Sequence, residues 1–296
     1  MARFVFVTHK KKGERIADLF KFGAHLRHHD CRVIEGGGEI HKDEIGVFYG
    51  VVSETRRLYE ECLARNKALY IDNGWLSTLE ERTLRWAWNG VQANSSTLPP
   101  KPGRLGRFHW PKYQNRAEAN GKPSALLCMQ SPGYFEHMDL TFSFMQWRSH
   151  MIHLLRSLGY SVTVRLKPQT KDRQTSNILD QLKQHTIAVS LNSAISAVAI
   201  TNGIPAFCTL PSTLSDACPR VIQKPKNLKY PTYALIAPVL ARAAYADFTY
   251  AELQNGTMID MVMALKPKDR KGFYYGHTYN SKRLRGSGAR GLATQG

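Results

Sequence analysis

The chain has 296 residues, of which 43% are hydrophobic, and it carries a formal net charge of +18 with a pI near 9.8. This length suffices for two domains or for one large α/β domain, and the hydrophobic content is ordinary for a folded protein. No apolar run is long enough to cross a membrane and no signal peptide is recognised, so we expect a cytoplasmic protein without a membrane partner.

The first half of the sequence alternates between strand and helix patterns. Strands are predicted at Phe4–Thr8, Cys31–Ile34, Gly46–Val52 and Ala68–Asp72, with helices at Glu14–His29 and Glu54–Lys67. Such alternation indicates parallel strands joined by crossover helices. The following segment, Arg85–Gln92, interleaves aromatic and polar residues, which fits a half-buried strand or a surface that stacks on bases or sugars.

Residues 93–123 break this pattern, because they are rich in Pro, Gly, Asn and basic residues. We expect a surface loop or an interdomain linker there. A second alternating set follows, with strands at Ser124–Gln130, Ser161–Leu166, Thr186–Leu191, after Gly203-Ile204-Pro205 and near Val221, and helices at Phe144–Leu158, after Asn192-Ser193, at Tyr233–Ala244 and at Tyr250–Leu265.

The predicted fold class is therefore α/β, with two lobes built on parallel sheets and a cleft between them. The predicted division is an acceptor-side lobe at 1–92, a basic linker at 93–123, a donor-binding lobe at 124–265 and a basic flexible tail at 266–296. Ligands of such folds bind at the carboxyl ends of the strands.

The segment from Arg165 to Leu210 contains the strongest functional signal. Arg165 and Lys167 end one strand, and the next strand ends at Ser190 just before Asn192-Ser193 opens a helix. Backbone N–H groups at a helix start, together with nearby cations, favour a phosphorylated ligand. The alternative is an ordinary strand–helix turn. Gln130-Ser131, at the end of a neighbouring strand, either contacts the same ligand or forms a simple turn.

Asp72 is the acid best placed to act as a general base. It ends a strand of the first lobe, so it would face the cleft and take a proton from an acceptor hydroxyl. His9, after the first strand, is the rival base. The alternative for Asp72 is a structural role in an Asp-Asn-Gly turn, where Asp is common.

The positive charge is concentrated in places that suggest a nucleic-acid partner rather than solubility alone. Residues 266–296 hold eight Lys or Arg against one Asp, which resembles a nucleic-acid arm. The residues predicted to contact nucleic acid are Lys10, Lys11, Lys12, Arg104, Arg107, Lys282, Arg283 and Arg285. A GxGxxG match at Gly286–Gly291 follows no strand and is rejected as a dinucleotide site.

The sequence also lacks the common patterns of metal and cofactor sites. The five cysteines form no CxxC pair, which predicts buried reduced thiols rather than a zinc site. The sequence contains no Walker A loop, no HExxH and no Asp-x-Asp. The missing Asp-x-Asp argues against sugar transferases that chelate a metal. No metal and no resident cofactor are expected.

The segments around Arg165–Lys167, Asn192-Ser193 and Gly203-x-Pro205 resemble the nucleotide-sugar lobe of GT-B glycosyltransferases. The likeness is closest to the branch of capsular polysaccharide enzymes and phage-encoded transferases. Segments 245–256 and 70–75 also look like that branch. The resemblance implies two Rossmann-like lobes, a metal-independent hexosyl or pentosyl transfer, and a donor that is a nucleotide-sugar such as a UDP-sugar.

The resemblance leaves the acceptor open between several classes. Some phage transferases of this kind glycosylate hydroxymethylated pyrimidines, and the charge of +18 fits DNA. The expected acceptor is therefore double-stranded DNA with 5-hydroxymethylcytosine or 5-hydroxymethyluracil, and the location is the host cytoplasm if the chain is phage-encoded. The alternatives are a polysaccharide-type transferase and a non-catalytic nucleic-acid-binding protein.

Overall fold

The structure, a computed structural model, describes residues 1–9, 11–77, 81–99, 102–107, 113–114, 121–138, 140–167 and 178–273. The strands in these residues are β1 (Arg3–Thr8), β2 (Asp30–Glu35), β3 (Ile45–Tyr49), β4 (Ala68–Asn73), β5 (Thr83–Trp88), β6 (Gln92–Ala93), β7 (Ser124–Cys128), β8 (Ser161–Arg165), β9 (Ile187–Ser190), β10 (Ala206–Cys208), β11 (Asp247–Thr249) and β12 (Gly272–Phe273). The α-helices are α1 (Lys11–Leu26), α2 (Ser53–Ala64), α3 (Pro102–Leu105), α4 (Pro132–His137), α5 (Phe144–Ser157), α6 (Ile178–Lys183), α7 (Ile195–Thr201), α8 (Tyr233–Ala246), α9 (Tyr250–Gln254) and α10 (Thr257–Met263).

The first sheet has the strand order β11-β5-β4-β3-β1-β2. Strands β1 to β4 are parallel, as their alternation with helices predicts. Strand β5 was expected to be half-buried, but all six of its residues are buried and it runs antiparallel to β4. The nine residues between the two strands are too few for a crossover helix, which needs a dozen or more.

The second sheet has the order β10-β9-β7-β8 and is parallel throughout, as predicted. Its four strands are short, and β7, β9 and β10 are almost completely buried. The predicted strand near Val221 is wrong, because Val221 lies outside the strands and is 78% exposed. The nearby prolines Pro219 and Pro225 leave little room for a strand, since proline cannot donate to a ladder.

The C-terminal part of the described chain returns to the first sheet. Strand β11 pairs with β5, and the Nε1 of Trp88 donates to the carbonyl of Val262 at 3.0 Å. The expected donor-binding lobe at 124–265 therefore does not match the sheets beyond α8, because β11 belongs to the first sheet. The single helix expected at Tyr250–Leu265 is split into α9 and α10 at Gly256, whose φ is +79°.

The segment expected to be a linker contains regular structure in its described part. Strand β6 pairs with β12, and α3 places Arg104 against the end of α8. Arg104 is 7% exposed; its Nε donates to the carbonyl of Ala244 at 2.7 Å, and its Nη1 donates to Glu252 Oε1 at 2.7 Å. The hydrogen bond to Ala244 ties residues 102–107 to α8, and the ion pair with Glu252 ties them to α9.

Three hydrophobic clusters form the core. One lies around the first sheet and includes residues of α9 and α10, while the other two cover opposite faces of the second sheet. All five cysteines are free and buried, as predicted. Among the described residues, the helices are too short or too polar for any of them to cross a membrane.

Candidate functional site

The carboxyl ends of the second sheet bring the predicted donor residues to one edge. Arg165 and Ser190 pair with Cys128 from either side, so Lys167, Gln130 and Asn192 each lie two residues beyond the same row. This placement agrees with the prediction that these strand ends converge.

Two of the predicted residues are buried beneath that edge. Ser190 is 1% exposed, and its Oγ accepts from the backbone N–H of Ser193 at 3.0 Å. Asn192 is 2% exposed. The prediction that Ser190 contacts the ligand is therefore corrected. The Ser190 hydroxyl stabilises the turn. It accepts the hydrogen bond of the Ser193 N–H, the backbone group that the sequence suggested would bind phosphate.

Asn192 instead belongs to a hydrogen-bonded group at the strand ends. Its Nδ2 donates to Tyr134 Oη at 2.8 Å, and Gln130 Nε2 donates to its Oδ1 at 3.4 Å. Burial raises the pKa of Tyr134 to about 12, so the phenol stays protonated at neutral pH. Ser131 precedes α4, and Arg165, Ser193 and Ser131 are half-buried whereas Lys167 is exposed.

On the first sheet, Asp72 is held from several sides at the end of β4. Arg85 Nη2 donates to its Oδ2 at 3.0 Å, and Tyr70 Oη donates to the same oxygen at 3.2 Å. The backbone N–H of Asn73 donates to Oδ1 at 2.7 Å. The side chain of Asp72 remains 25% exposed, so it is partly accessible to solvent.

Arg85 is the functional candidate that the sequence prediction missed. Its side chain is 9% exposed, and its guanidinium lies over the ring of Trp75 at 4.6 Å from the centroid. Burial opposes its charge, but the neighbouring carboxylate of Asp72 raises its pKa. The available signal in the sequence was a cation between Leu84 and Trp86 in an apolar strand pattern, since a buried charge requires a partner.

Tyr134 connects the two groups. Both Asp72 and Arg85 lie close enough to Tyr134 to influence its pKa, and Tyr134 packs against the cores of both sheets. Arg56 of α2 also donates to the carbonyl of Glu136 at 2.6 Å. The end of β4 and the ends of β7 and β9 therefore meet around Tyr134, and we take this cluster as the candidate site.

Further residues lie at the same edge of the first sheet. His9 follows β1 and is half-buried, but β3 lies between β1 and β4. Tyr49 ends β3; burial first, and then the charge of Asp72, raise its pKa. Arg82 and Tyr250 also influence Tyr49, so they approach the same edge.

The residues predicted to contact nucleic acid have different positions. Arg104 is buried in the ion pair with Glu252, so its predicted contact with nucleic acid is corrected. Arg107 is exposed, and Lys11 and Lys12 open α1. The remaining predicted residues, Lys10, Lys282, Arg283 and Arg285, lie outside the described residues.

A concavity of about 550 Å³ lies elsewhere, between β8 and α6. Its lining residues are Leu126, Thr163, Val164, Arg165, Leu166, Gln181, Gln184 and His185. It shares Arg165 with the candidate site but contains neither Asp72 nor Tyr134. No group of His, Cys, Asp and Glu able to hold a metal occurs among the described residues.

No family model matches the chain, and no curated protein matches it. Among solved structures, it is similar to the β-Kdo 2,7 transferase KpsC of Thermosulfurimonas dismutans, with 11% identity over 89% of this chain and 100% of that chain and a TM-score of 0.49. A periplasmic sugar-binding protein from Pseudomonas fluorescens has 9% identity over 69% and 64% of the two chains and a TM-score of 0.25.

The iron-containing heptosyltransferase TibC, solved with ADP-D-β-D-heptose, has 11% identity over 89% of this chain and 76% of that chain and a TM-score of 0.23. All three TM-scores are below 0.5.

Proposed function

We propose that this chain is a glycosyltransferase that moves a sugar from a nucleotide-sugar, with UDP-sugars the first donors to test, onto an acceptor hydroxyl. The observation that carries the proposal is the meeting of Asp72 and Arg85 with Gln130, Tyr134 and Asn192 at facing strand ends. The carboxylate of Asp72 on the first sheet thus lies in one cluster with polar side chains at the strand ends of the second sheet. The resemblance of the Arg165–Pro205 segment to nucleotide-sugar lobes supports the same conclusion.

In the proposed reaction, Arg165 and Lys167 neutralise the diphosphate of the donor. The acceptor oxygen forms a bond to the anomeric carbon while the bond from that carbon to the phosphate oxygen breaks. The electron pair leaves with the nucleoside diphosphate, whose charge the cations stabilise. Asp72, whose side chain is partly exposed, accepts the hydroxyl proton.

Arg85 and Tyr70 act on Asp72 rather than on the substrate. Their two donors fix Oδ2, and the Asn73 N–H fixes Oδ1. Holding a base in one orientation before the reaction reduces the entropy that must be lost in the transition state.

The proposed acceptor is a hydroxymethylated pyrimidine in double-stranded DNA. The formal charge of +18 supports a polyanionic acceptor, since cations that neutralise phosphates provide sequence-independent affinity. The base would have to leave the stack to reach a site between two sheets.

A transfer assay with radiolabelled sugars tests both levels of the proposal. Purified protein is incubated with a panel of nucleotide-sugars and with DNA containing 5-hydroxymethylcytosine, 5-hydroxymethyluracil or, as the matched control, unmodified bases. We expect label in modified DNA alone. Transfer to a polysaccharide acceptor instead would overturn the DNA assignment. If no donor is turned over or hydrolysed, the proposal that the chain is a glycosyltransferase is overturned.

A further inference from the structure

A basic segment on the second sheet's side of the molecule has no role in the site described above. The 30 residues from Ala217 to Ala246 contain five Lys or Arg and no Asp or Glu. Four of the cations fall in residues 219–232, which we call the basic strap; they are Arg220, Lys224, Lys226 and Lys229. All four are exposed.

The backbone of the basic strap is fixed by contacts to the body of the protein. Tyr160 Oη donates to the carbonyl of Gln223 at 2.8 Å, and the backbone N–H of Lys229 donates to Gln223 Oε1 at 3.2 Å. Tyr113 Oη donates to the carbonyl of Pro231 at 2.8 Å. Ile222 is buried beneath the strap, so the cations project from an anchored scaffold.

No carboxylate neutralises this surface within the described part of the chain. The ion pairs found there involve none of the four strap cations, and Asp216 is paired with Arg242 at 3.0 Å. Four adjacent exposed cations without acids produce a local positive field, which attracts a polyanion.

Aromatic side chains lie beside the cations. Tyr233 is 64% exposed, and its ring lies 6.1 Å from the ring of Tyr113. Tyr230, which directly follows Lys229 in the sequence, is half-buried. Lys, Arg and Tyr side chains are among the groups that contact the phosphates and sugars of duplex DNA.

This surface is separate from the candidate site. It ends where α8 begins, and the 14 residues of α8 span about 21 Å before reaching Asp247 near Arg85. A polymer held on the strap therefore leaves the strand-end cluster accessible.

We propose that the basic strap, with Tyr233, binds the sugar–phosphate backbone of double-stranded DNA as a docking surface outside the cleft. The proposal extends the DNA acceptor proposed above, but it concerns binding and needs neither donor nor modified base. Val221, 78% exposed, is the feature that would instead suit an anionic lipid surface, so vesicles enter the test.

The experiment measures binding of a labelled unmodified duplex as a function of salt. The variant carries Lys224→Ala, Lys226→Ala and Lys229→Ala. Its matched control carries Lys21→Ala, Lys42→Ala and Arg57→Ala, three exposed cations on the first sheet's side. We expect the strap variant to bind about tenfold or more weakly at moderate salt and to reduce the slope of log K against log salt by about 3. The control is expected to keep the wild-type slope.

Equal losses in both triple variants would show that net charge alone drives binding and would overturn the proposal. Binding to phosphatidylglycerol vesicles but not to DNA would overturn it as well. Tyr233→Ala should weaken DNA binding without changing the salt slope. Melting temperatures and UDP binding, unchanged in the strap variant, separate this result from a failure of the fold or of the proposed enzyme.

Discussion

Asp72 combines two properties that a general base requires. Four donors fix its two oxygens, and a quarter of its side chain remains exposed to solvent. The Asn73 contact also satisfies the local turn that the sequence suggested as the alternative role. The structural and the proposed catalytic functions of Asp72 are therefore compatible.

Replacing Asp72 tests its role directly. Asp72→Asn keeps the shape but removes the proton acceptor, so we expect transfer to fall by about 10²–10⁴. Nucleotide affinity should stay unchanged, because the cations of the second sheet remain. Rates and titration calorimetry measure the two quantities, with Asp18→Asn on the exposed face of α1 as control. Full activity of Asp72→Asn would move the role to His9.

Asp247 gives the stability of the protein a specific pH dependence. Its carboxylate is buried and accepts from the N–H of Leu76 at 2.7 Å and from Thr83 Oγ1 at 3.0 Å. Burial nevertheless raises its pKa from 3.8 to about 6. The folded state thus holds the proton more tightly than the unfolded chain. The stability that the bound proton of Asp247 contributes is complete below about pH 3.8 and is lost as pH rises to about 6.

We therefore expect the unfolding free energy of the wild type to decrease relative to Asp247→Asn between pH 4 and pH 7. The two pKa values predict a change of about 2–3 kcal/mol. Urea unfolding at each pH measures it, and taking the difference between the two proteins cancels the other titrating groups. A difference that is constant with pH would contradict the assignment.

At the level of residues, the sequence identified the strand-end positions but not their partners. Asp72 and Arg165 could be predicted because they end hydrophobic strands. Arg85 and Tyr134 could not be assigned to the site, because their contacts cross from β5 to β4 and from α4 to the turn after β9. Arg104 looked like a surface cation in a polar segment, since nothing local in sequence reveals Glu252 as its partner.

At the level of elements, α3 connects the middle of the chain to its C-terminal part. Arg104→Ala would remove the buried cation partner of Glu252, which is 13% exposed, and would free the carbonyl of Ala244. We expect a loss of about 3 kcal/mol or more in unfolding free energy.

Arg107 offers a matched control in the same segment. It lies 3.8 Å from the same carboxylate but is 67% exposed. Arg107→Ala should change stability by less than about 0.5 kcal/mol. Chemical denaturation of both variants checks the contrast, and similar values would show that the buried ion pair contributes little.

The close approach of α1 to α9 provides a second test of the C-terminal topology. A Cβ on Gly23 would lie 2.2 Å from the carbonyl oxygen of Leu253, whereas on Gly13 its nearest neighbour is 3.9 Å away. Gly23→Ala should therefore destabilise the protein by about 1–3 kcal/mol. Gly13→Ala, in the same helix, should stabilise it by up to about 1 kcal/mol. Equal melting temperatures for the Gly23→Ala and Gly13→Ala variants would contradict the close approach of α9 to α1.

The elements that the sequence predicted well are those with strong local periodicity. Helix α5 and the parallel strands β1 to β4 follow their hydrophobic patterns closely. The return of β11 to β5 depends on tertiary pairing between residues more than 150 apart in the chain. Periodicity carries no information about such pairings.

At the scale of the whole molecule, two sheets supply different chemistry to one cluster. The first contributes a carboxylate fixed by Arg85, and the second contributes strand ends with cations and amides. The charge of +18 is a separate property, and the basic strap locates part of it away from this cluster. The composition indicated a polyanionic partner, but the surface that would bind this partner could be located only from the fold.

Calorimetric titration of nucleoside mono- and diphosphates, beginning with UDP, tests the proposed donor site most directly. The proteins compared are the wild type, Arg165→Ala and the control Arg156→Ala, an exposed arginine of α5. Loss of a charge-assisted hydrogen bond to phosphate should weaken binding about tenfold or more in Arg165→Ala. We expect the wild type and the control to bind. A wild type that binds no nucleotide, or Arg165→Ala binding as tightly as the wild type, would rule out the proposed donor site.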